Sequence, residues 1–286
     1  MFTDLHLHTT FSDGTYSPEQ LAAEAKRFGL VAVALTDHDT VEGCDRMRAA
    51  CEAVAIEFIP ATELTCEVAG VELHMLGYFL DVTNPKLLTQ MVRFQEGRHE
   101  RIREIVARLQ KMDVPLDEEE VFALANCKSP GRPHVARALI RRKVCASVDE
   151  AFERFLKKNR PAWVPKEKIS AKEALELIHH AGGLAVVAHP GLARTEEVLP
   201  ELIKAGVDGI ECFHTKHSPS ASEYYVSLAE QHNLVVTGGS DCHGMNKGKP
   251  LIGSIKLPYE YVRQLKERLQ NGHPAKAATT RPAETD

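Results

Sequence analysis

Short apolar runs that alternate with amphipathic segments limit most strongly how this chain can fold. The runs at residues 2–5 and 31–36 are each followed by a segment whose apolar residues recur at helical spacing. The same alternation returns later, with strand-like runs at residues 184–188, 208–212 and 234–238. This order predicts an α/β fold of parallel strands joined by crossover helices, either closed into a barrel or left open.

The middle of the chain has a different pattern. From about residue 98 to residue 158 the apolar residues keep helical spacing without intervening strand-like runs, as in Ile102, Ile105, Val106 and Leu109. We therefore predict a barrel made of residues 1–95 and 166–274, interrupted by a helical insertion at residues 96–165. Residues 275–286 are polar and are predicted to form a flexible tail.

Charge is distributed unevenly between these parts. The chain has 35 basic and 40 acidic residues, a net charge of −5, yet residues 128–166 contain eleven Lys or Arg and only three acids. A basic insertion above an acidic barrel indicates an anionic substrate. The same charges would also be compatible with ordinary solvated helix faces.

Length and composition argue against a fibrous, disordered or membrane-spanning protein. The 286 residues, 43% of them hydrophobic, suffice for a sizeable core, and no apolar run approaches the ~20 residues that span a bilayer. The seven cysteines are scattered without CxxC spacing, and the first residues lack a basic segment followed by an apolar one. We expect a soluble, cytoplasmic protein with no membrane partner.

Histidines and carboxylates collect where the predicted strands end. His6 and His8 lie two residues apart at the end of the first strand, so both side chains point to the same side. Seven further candidates lie at or near other strand ends: Asp13, His38, Glu63, His74, His189, Asp241 and His243. A single histidine is often structural, but the carboxyl ends of barrel strands converge on one face, where catalytic residues collect. The set therefore predicts a metal centre.

The donor types indicate which ions and which chemistry to expect. Imidazole and carboxylate without thiolate suit Mn, Zn or Fe(II), and affinity order alone would favour Zn. Paired ions can activate water and neutralise the charge on phosphoryl oxygens. Hydrolysis of a phosphate ester is the reaction that such a centre suits best.

Four sequence strings carry a resemblance to a known family. The strings DLHLHT from Asp4, TDHD from Thr36, His189-Pro190 and SDCHG from Ser240, with Glu63 and His74 between them, resemble the signature of the PHP (polymerase and histidinol phosphatase) family. The resemblance covers nearly the whole chain outside the insertion and the tail. It implies a distorted (β/α)7 barrel that binds two to three divalent ions, with Mn favoured.

The resemblance also implies how the ligands are shared. One ion would be held by His6, His8, Glu63 and Asp241. A second would share Glu63 and take His74 and His189, and a third would take Asp13, His38 and His243. Every one of these positions carries the expected type of residue, which argues against a non-catalytic copy.

The insertion and the later strand ends supply candidate substrate residues. Ser129, Arg132 and His134 lie where a helix is expected to begin at Pro133, and a helix N-terminus beside an arginine can bind an anion. An ordinary helix start with an exposed arginine would give the same pattern. Further candidates are Arg98 and Arg101 for substrate binding, with His214, His217, Asp13 and His38 for catalysis.

Two anion sites suit a substrate with two phosphates. Among PHP proteins the chain is most similar to the branch of 3′,5′-nucleoside bisphosphate phosphatases and 5′-to-3′ exoribonucleases. We therefore predict a metal-dependent phosphoesterase that removes the 3′-phosphate from a nucleoside 3′,5′-bisphosphate. The alternatives are a 5′-to-3′ exoribonuclease on short RNA, a histidinol-phosphate phosphatase, or a non-catalytic metal-binding module. No obligate protein partner is predicted.

Overall fold

The computed structural model describes residues 1–192 and 194–272, so the predicted tail at residues 275–286 lies outside the described residues. The strands in this part are β1 (Phe2–Leu7), β2 (Leu30–Leu35), β3 (Glu57–Val68), β4 (Val71–Tyr78), β5 (Ile169–Ser170), β6 (Leu184–Val187), β7 (Gly209–His214), β8 (Val235–Gly239) and β9 (Leu257–Pro258). The α-helices are α1 (Pro18–Arg27), α2 (Cys44–Ala53), α3 (Pro85–Gln110), α4 (Glu118–Ala125), α5 (Arg132–Arg141), α6 (Val148–Ala151), α7 (Ala171–His180), α8 (Thr195–Ala205), α9 (Pro219–Gln231) and α10 (Glu260–Asn271).

The strands form one curved sheet that is nearly closed into a barrel. Their order is β8-β7-β6-β4-β3-β2-β1-β9, and β5 pairs with β3. The two ends of the wall meet where Leu7 bridges Cys242 and the His8 N–H donates to the Cys242 carbonyl at 3.0 Å. A side chain at Gly239 would lie 2.3 Å from His6 Cβ, so glycine is what lets β8 approach β1. The predicted α/β barrel with crossover helices is confirmed.

The expectation that all strands run parallel is wrong for β4 and for the short strand β9, which pairs with β1 in the antiparallel direction. Strand β4 is antiparallel to both β3 and β6, because Ala69 and Gly70 join β3 to β4 in a two-residue turn with positive φ at both positions. Strand β3 also continues beyond the level at which β2 ends. The βα pattern predicted that Glu63 and His74 lie at or near strand ends. They lie instead within the long strands β3 and β4.

The insertion has a hydrophobic core of its own. Ile102, Ile105, Val106 and Leu109 are buried there together, which confirms the helical face expected from their spacing. Helix α3, however, is continuous across residue 96: its first half packs on the barrel and its second half on the insertion. The division of the chain at residues 96 and 165 stays a prediction.

Candidate metal centre

Nine imidazole and carboxylate side chains, the buried Glu63 among them, converge at one site. His6 and His8 point the same way from the end of β1, and the Nε2 atom of each lies 3.2 Å from Glu63 Oε2. Asp241 Oδ1 lies 3.6 Å from His6 Nε2 and 3.3 Å from His8 Nε2. These four residues form one group whose ligand atoms lie within 4.8 Å of one another, the set that the resemblance implies for the first ion.

Two further groups adjoin the first. One contains His8, Asp13, His38 and His243, so His8 joins the three residues implied for the third ion. The other contains His38, Glu63 and His74. His38 takes the place there that the resemblance gives to His189, although His189 Nε2 lies only 3.0 Å from Glu63 Oε1.

Several of the candidate ligand atoms are buried without a hydrogen-bond partner, and a bound metal ion would supply the missing partner. His6 Nε2, both ring nitrogens of His8, Asp13 Oδ1, His38 Nδ1 and Glu63 Oε2 are buried without a hydrogen-bond partner. Buried polar atoms in proteins are nearly always paired, and here the unpaired ones belong to residues whose ligand atoms lie within 4.8 Å of one another in each group. Burial alone would raise the pKa of Glu63, but the imidazoles of His74, His38 and His6 outweigh it and hold that pKa well below its usual range. The donor set therefore fits divalent ions.

Cys242, between the candidate ligands Asp241 and His243, is not part of this donor set. Its side chain is fully buried, and its sulfur accepts a hydrogen bond from the Gly244 N–H. Burial raises the pKa of this thiol, which keeps it in the neutral form. The donors of the three groups are thus only imidazole and carboxylate.

Strained backbone holds two of the candidate ligands in place. His189 has φ +27° and Asp241 has φ +53°, a region that costs non-glycine residues about 1–3 kcal/mol each. The His189 N–H donates to Glu211 Oε2 at 2.8 Å, and the neighbouring Ser240 N–H donates to Asp4 Oδ1 at 2.8 Å. These buried carboxylates fix the loops on which the ligands lie.

Glu211 and Asp4 are site residues that the sequence patterns did not reveal. Glu211 Oε1 lies 2.9 Å from His6 Nδ1, which directs the other ring nitrogen of His6 to Glu63. Burial raises the pKa of Asp4 to about 6. The sequence does contain a signal for both: each is an acidic residue within an apolar strand-like run that also carries a candidate site histidine, His6 in one case and His214 in the other.

The three arginines predicted to bind substrate form hydrogen bonds within the chain. Arg98 donates to Asp39 Oδ2 from Nε at 3.0 Å and Nη2 at 2.6 Å, and from Nη1 to the Pro130 carbonyl at 3.2 Å. This placement argues against direct contact of Arg98 with a substrate. The Nε atom of Arg101 donates to the Val164 carbonyl, and Arg132 Nη1 donates to the Leu156 carbonyl.

Ser129 and His134 also have contacts within the chain. The Ser129 hydroxyl donates to the His38 carbonyl at 2.6 Å, which joins the insertion to a loop of the metal centre. His134 is 1% exposed and its Nδ1 atom accepts the Gly131 N–H at 3.0 Å. Burial lowers the pKa of His134 to about 4, so this ring is neutral near pH 7.

His214 and His217 differ in their surroundings. His217 Nδ1 donates to the Cys212 carbonyl at 3.0 Å and Nε2 accepts the Gly191 N–H at 3.3 Å, so both ring nitrogens are used. His214 Nδ1 accepts the Lys216 N–H, and its Nε2 lies 3.5 Å from Asp241 Oδ2. His214 therefore touches the metal centre, whereas His217 supports the loop that follows His189.

A cleft of about 1060 Å³ opens beside the metal centre. Asp13, Asp241 and His243 line one side of it, and Phe152 and Pro133 of the insertion line another. Pockets for small ligands usually measure about 300–1,000 Å³, so the cleft has room for a nucleotide. In the described part of the chain, no helix is both long enough and apolar enough to cross a membrane.

The nearly closed barrel and its cluster of imidazoles and carboxylates define a metal-dependent hydrolase. The family model of the PHP domain matches residues 4–211, and the chain belongs to this family. The "5′-3′ exoribonuclease Rnm" of Escherichia coli strain K12 is 31% identical over 277 residues, 94% of each chain. A "phosphoribosyl 1,2-cyclic phosphate 1,2-diphosphodiesterase" of Eggerthella lenta is 30% identical over 88% of this chain and 98% of its own. A "3′,5′-nucleoside bisphosphate phosphatase" of Chromobacterium violaceum is also 30% identical, over 87% of this chain and 90% of its own.

A solved structure from Bifidobacterium adolescentis has the same fold. It is described as that of a metal-dependent phosphoesterase, and it superposes with a TM-score of 0.85 at 32% identity over 92% of this chain and 94% of its own. Together with the relatives, it makes this protein a metal-dependent phosphoesterase of the PHP family.

Proposed function

We propose that the protein removes the 3′-phosphate from nucleoside 3′,5′-bisphosphates, giving a nucleoside 5′-monophosphate and phosphate. The observation that carries the proposal is the cluster of unpaired ligand atoms that opens into a cleft large enough for a nucleotide. The relative from Chromobacterium violaceum bears the name of this activity and aligns over most of both chains.

The residues of the three groups would hold two to three divalent ions, for which we propose Mn, with Zn or Fe as the other candidates. His6, His8, Glu63 and Asp241 would hold one ion. Glu63 with His74, His38 and His189 would hold a second, and Asp13, His8, His38 and His243 a third. Bound ions would supply Lewis acidity, which activates water and offsets the charge of the phosphoryl oxygens.

Other side chains of the protein orient these ligands and the loops that bear them. Glu211 holds His6, and His217 holds the Gly191 backbone near His189. His214 faces Asp241 through Nε2, and we assign it to the metal centre as a residue that positions Asp241. His134 is neutral and hydrogen-bonded, so we assign it to shaping the start of α5 and not to donating a proton.

A second candidate activity follows from the bond that is broken. Removing a 3′-phosphate cleaves the bond between the ribose 3′ oxygen and phosphorus: a water oxygen joins phosphorus, and the 3′ oxygen leaves with a proton. Releasing a 5′-nucleotide from the 5′ end of RNA cleaves the same bond, with a longer group on the phosphate. The exoribonuclease from Escherichia coli, similar over 94% of both chains, favours this activity as an alternative.

Phosphate release from a substrate panel tests the proposal. Protein reconstituted with Mn should release phosphate from adenosine 3′,5′-bisphosphate, and Asp241→Asn should abolish the release while the exposed control Asp45→Asn keeps it. Turnover of histidinol phosphate without turnover of the bisphosphate would refute the proposal. Stepwise shortening of a 5′-phosphorylated oligoribonucleotide, resolved by length, would establish the exoribonuclease activity.

Cytoplasmic location stays a prediction. All seven cysteines are free thiols and six of them are buried, which agrees with a reducing compartment. The proposed partners are small nucleotides and short oligoribonucleotides.

A further inference from the structure

The part of the cleft wall that the insertion contributes contains a π-helix. Residues Phe152–Leu156 adopt this conformation directly after α6. π-Helical turns are rare and occur frequently at functional sites. Phe152, its first residue, lines the cleft together with Glu153 and Lys157.

The two phenylalanines of the π-helix differ in burial. Phe155 is buried in the hydrophobic core of the insertion, whereas Phe152 is only half-buried and faces the cleft. Arg132 supports Phe152: its guanidinium carbon lies 5.5 Å from the ring centroid, and its Nη1 atom donates to the carbonyl of Leu156. The ring is thus held against a cation that is itself anchored to the π-helix.

Three charged side chains beside this ring are paired with one another. Glu153, the next residue along, forms ion pairs with Lys157 at 2.7 Å and with Arg160 at 3.2 Å. An aromatic face in such surroundings suits a flat, neutral ring better than a second phosphate. The exposed Lys216 lies at the same cleft, where it can balance the charge of phosphate groups.

We propose that Phe152 is the stacking surface for the nucleobase of the substrate and so determines its specificity for nucleotides. The inference rests on the proposed function, because it assumes a nucleotide whose 3′-phosphate lies at the metal centre. Stacking on an aromatic side chain tolerates every base, since each base has a π-face. The chain would then select nucleosides as a class and discriminate little among bases.

Phe122 provides a matched control. Like Phe152 it is half-buried and packs against the hydrophobic core of the insertion, and its ring is also in contact with a partner, His99 at 4.7 Å. Phe122 does not line the cleft. A purely structural role of either ring would therefore give similar effects in the two variants.

The test compares Phe152→Leu, Phe152→Trp and Phe122→Leu. We expect Phe152→Leu to raise KM for adenosine 3′,5′-bisphosphate roughly 5- to 100-fold, with KM for glycerol phosphate, which has no base, changed less than about twofold. Phe152→Trp should keep the affinity for the nucleotide, and its fluorescence should change when AMP binds. Equal changes for both substrates, or an equal effect of Phe122→Leu, would overturn the inference.

Binding of AMP to metal-free protein separates this inference from the proposed function. If no nucleotide is hydrolysed but Phe152→Leu weakens AMP binding at least fivefold, the proposed function fails and the stacking surface is upheld. If Phe152→Leu leaves AMP binding unchanged, the stacking surface is refuted whichever phosphate ester the protein hydrolyses.

Discussion

A buried ion pair joins the insertion to the metal centre, and breaking it should cost much more stability than a surface pair does. The Asp39 side chain is fully buried and follows the candidate ligand His38, and its Oδ2 atom lies 2.6 Å from Arg98 Nη2 of α3 and 3.1 Å from Lys166 Nζ. The Thr65 N–H donates to its second oxygen at 2.9 Å. Burial would raise the pKa of Asp39, but Lys166 and Arg98 hold it far below its usual range.

The expected magnitude follows from what Arg98→Met leaves behind. The variant keeps the methylene packing but leaves a buried carboxylate with one cation in place of two. Removing one partner of a buried pair costs about 3–5 kcal/mol, and the remaining Lys166 puts the expected loss near the lower end, at about 3 kcal/mol. Arg103→Met, on the same helix, removes a half-exposed pair with Glu118 at 3.4 Å and should cost no more than about 1 kcal/mol.

Urea unfolding of metal-free protein, followed by circular dichroism, measures both losses. A double-mutant cycle of Arg98→Met with Asp39→Asn should show that the two changes are strongly non-additive. A loss below about 1 kcal/mol for Arg98→Met, or a loss equal to that of Arg103→Met, would refute the structural role. A variant of normal stability that binds nucleotides weakly would return Arg98 to the substrate-binding residues.

Two further predictions concern Glu211 and His134. Glu211→Gln should weaken metal affinity about 10- to 100-fold, measured in competition with a chelator, because Glu211 orients His6. Glu230→Gln, at an exposed position on α9, should leave metal affinity unchanged. Equal metal affinities of the two variants would contradict the role of Glu211. His134 has a pKa of about 4 when folded against 6.5 otherwise, so the unfolded chain binds more protons between these values and stability falls as pH falls through this window. Relative to His134→Asn, the wild type should lose about 3 kcal/mol of unfolding free energy between pH 7 and pH 4, measured in urea titrations. The same dependence of unfolding free energy on pH in both proteins would contradict the lowered pKa of His134.

The barrel and most candidate ligands could be predicted because the signals are local. His6 and His8 lie two residues apart at the end of a strand, His189 directly follows an apolar run, and Asp241 lies two residues beyond another. The antiparallel β3–β4 hairpin was harder to foresee. Its two-residue turn at Ala69 and Gly70 lies in a chain that otherwise follows a βα pattern, so the turn was outweighed by that pattern.

The remaining features depend on contacts between distant residues. The charge of Arg98 predicts a substrate residue, but its partner Asp39 lies 59 residues away and a sequence does not show such a pairing. Glu211 belongs to an apolar strand, and its contact with His6 spans 205 residues. The second ion's ligand set is affected in the same way, since only the folded chain shows that His38 joins the group of Glu63 and His74, with His189 Nε2 also 3.0 Å from Glu63 Oε1.

The metal content of the reconstituted protein tests the central claim most directly. Elemental analysis after reconstitution with Mn and removal of free ions should give two to three ions per chain. Glu63→Gln, which alters the carboxylate shared by two of the three ligand groups, should lower the content by at least one ion and abolish phosphate release. Fewer than two ions per chain in the wild type, with no phosphatase activity across the substrate panel, would contradict the account and favour a non-catalytic metal-binding module.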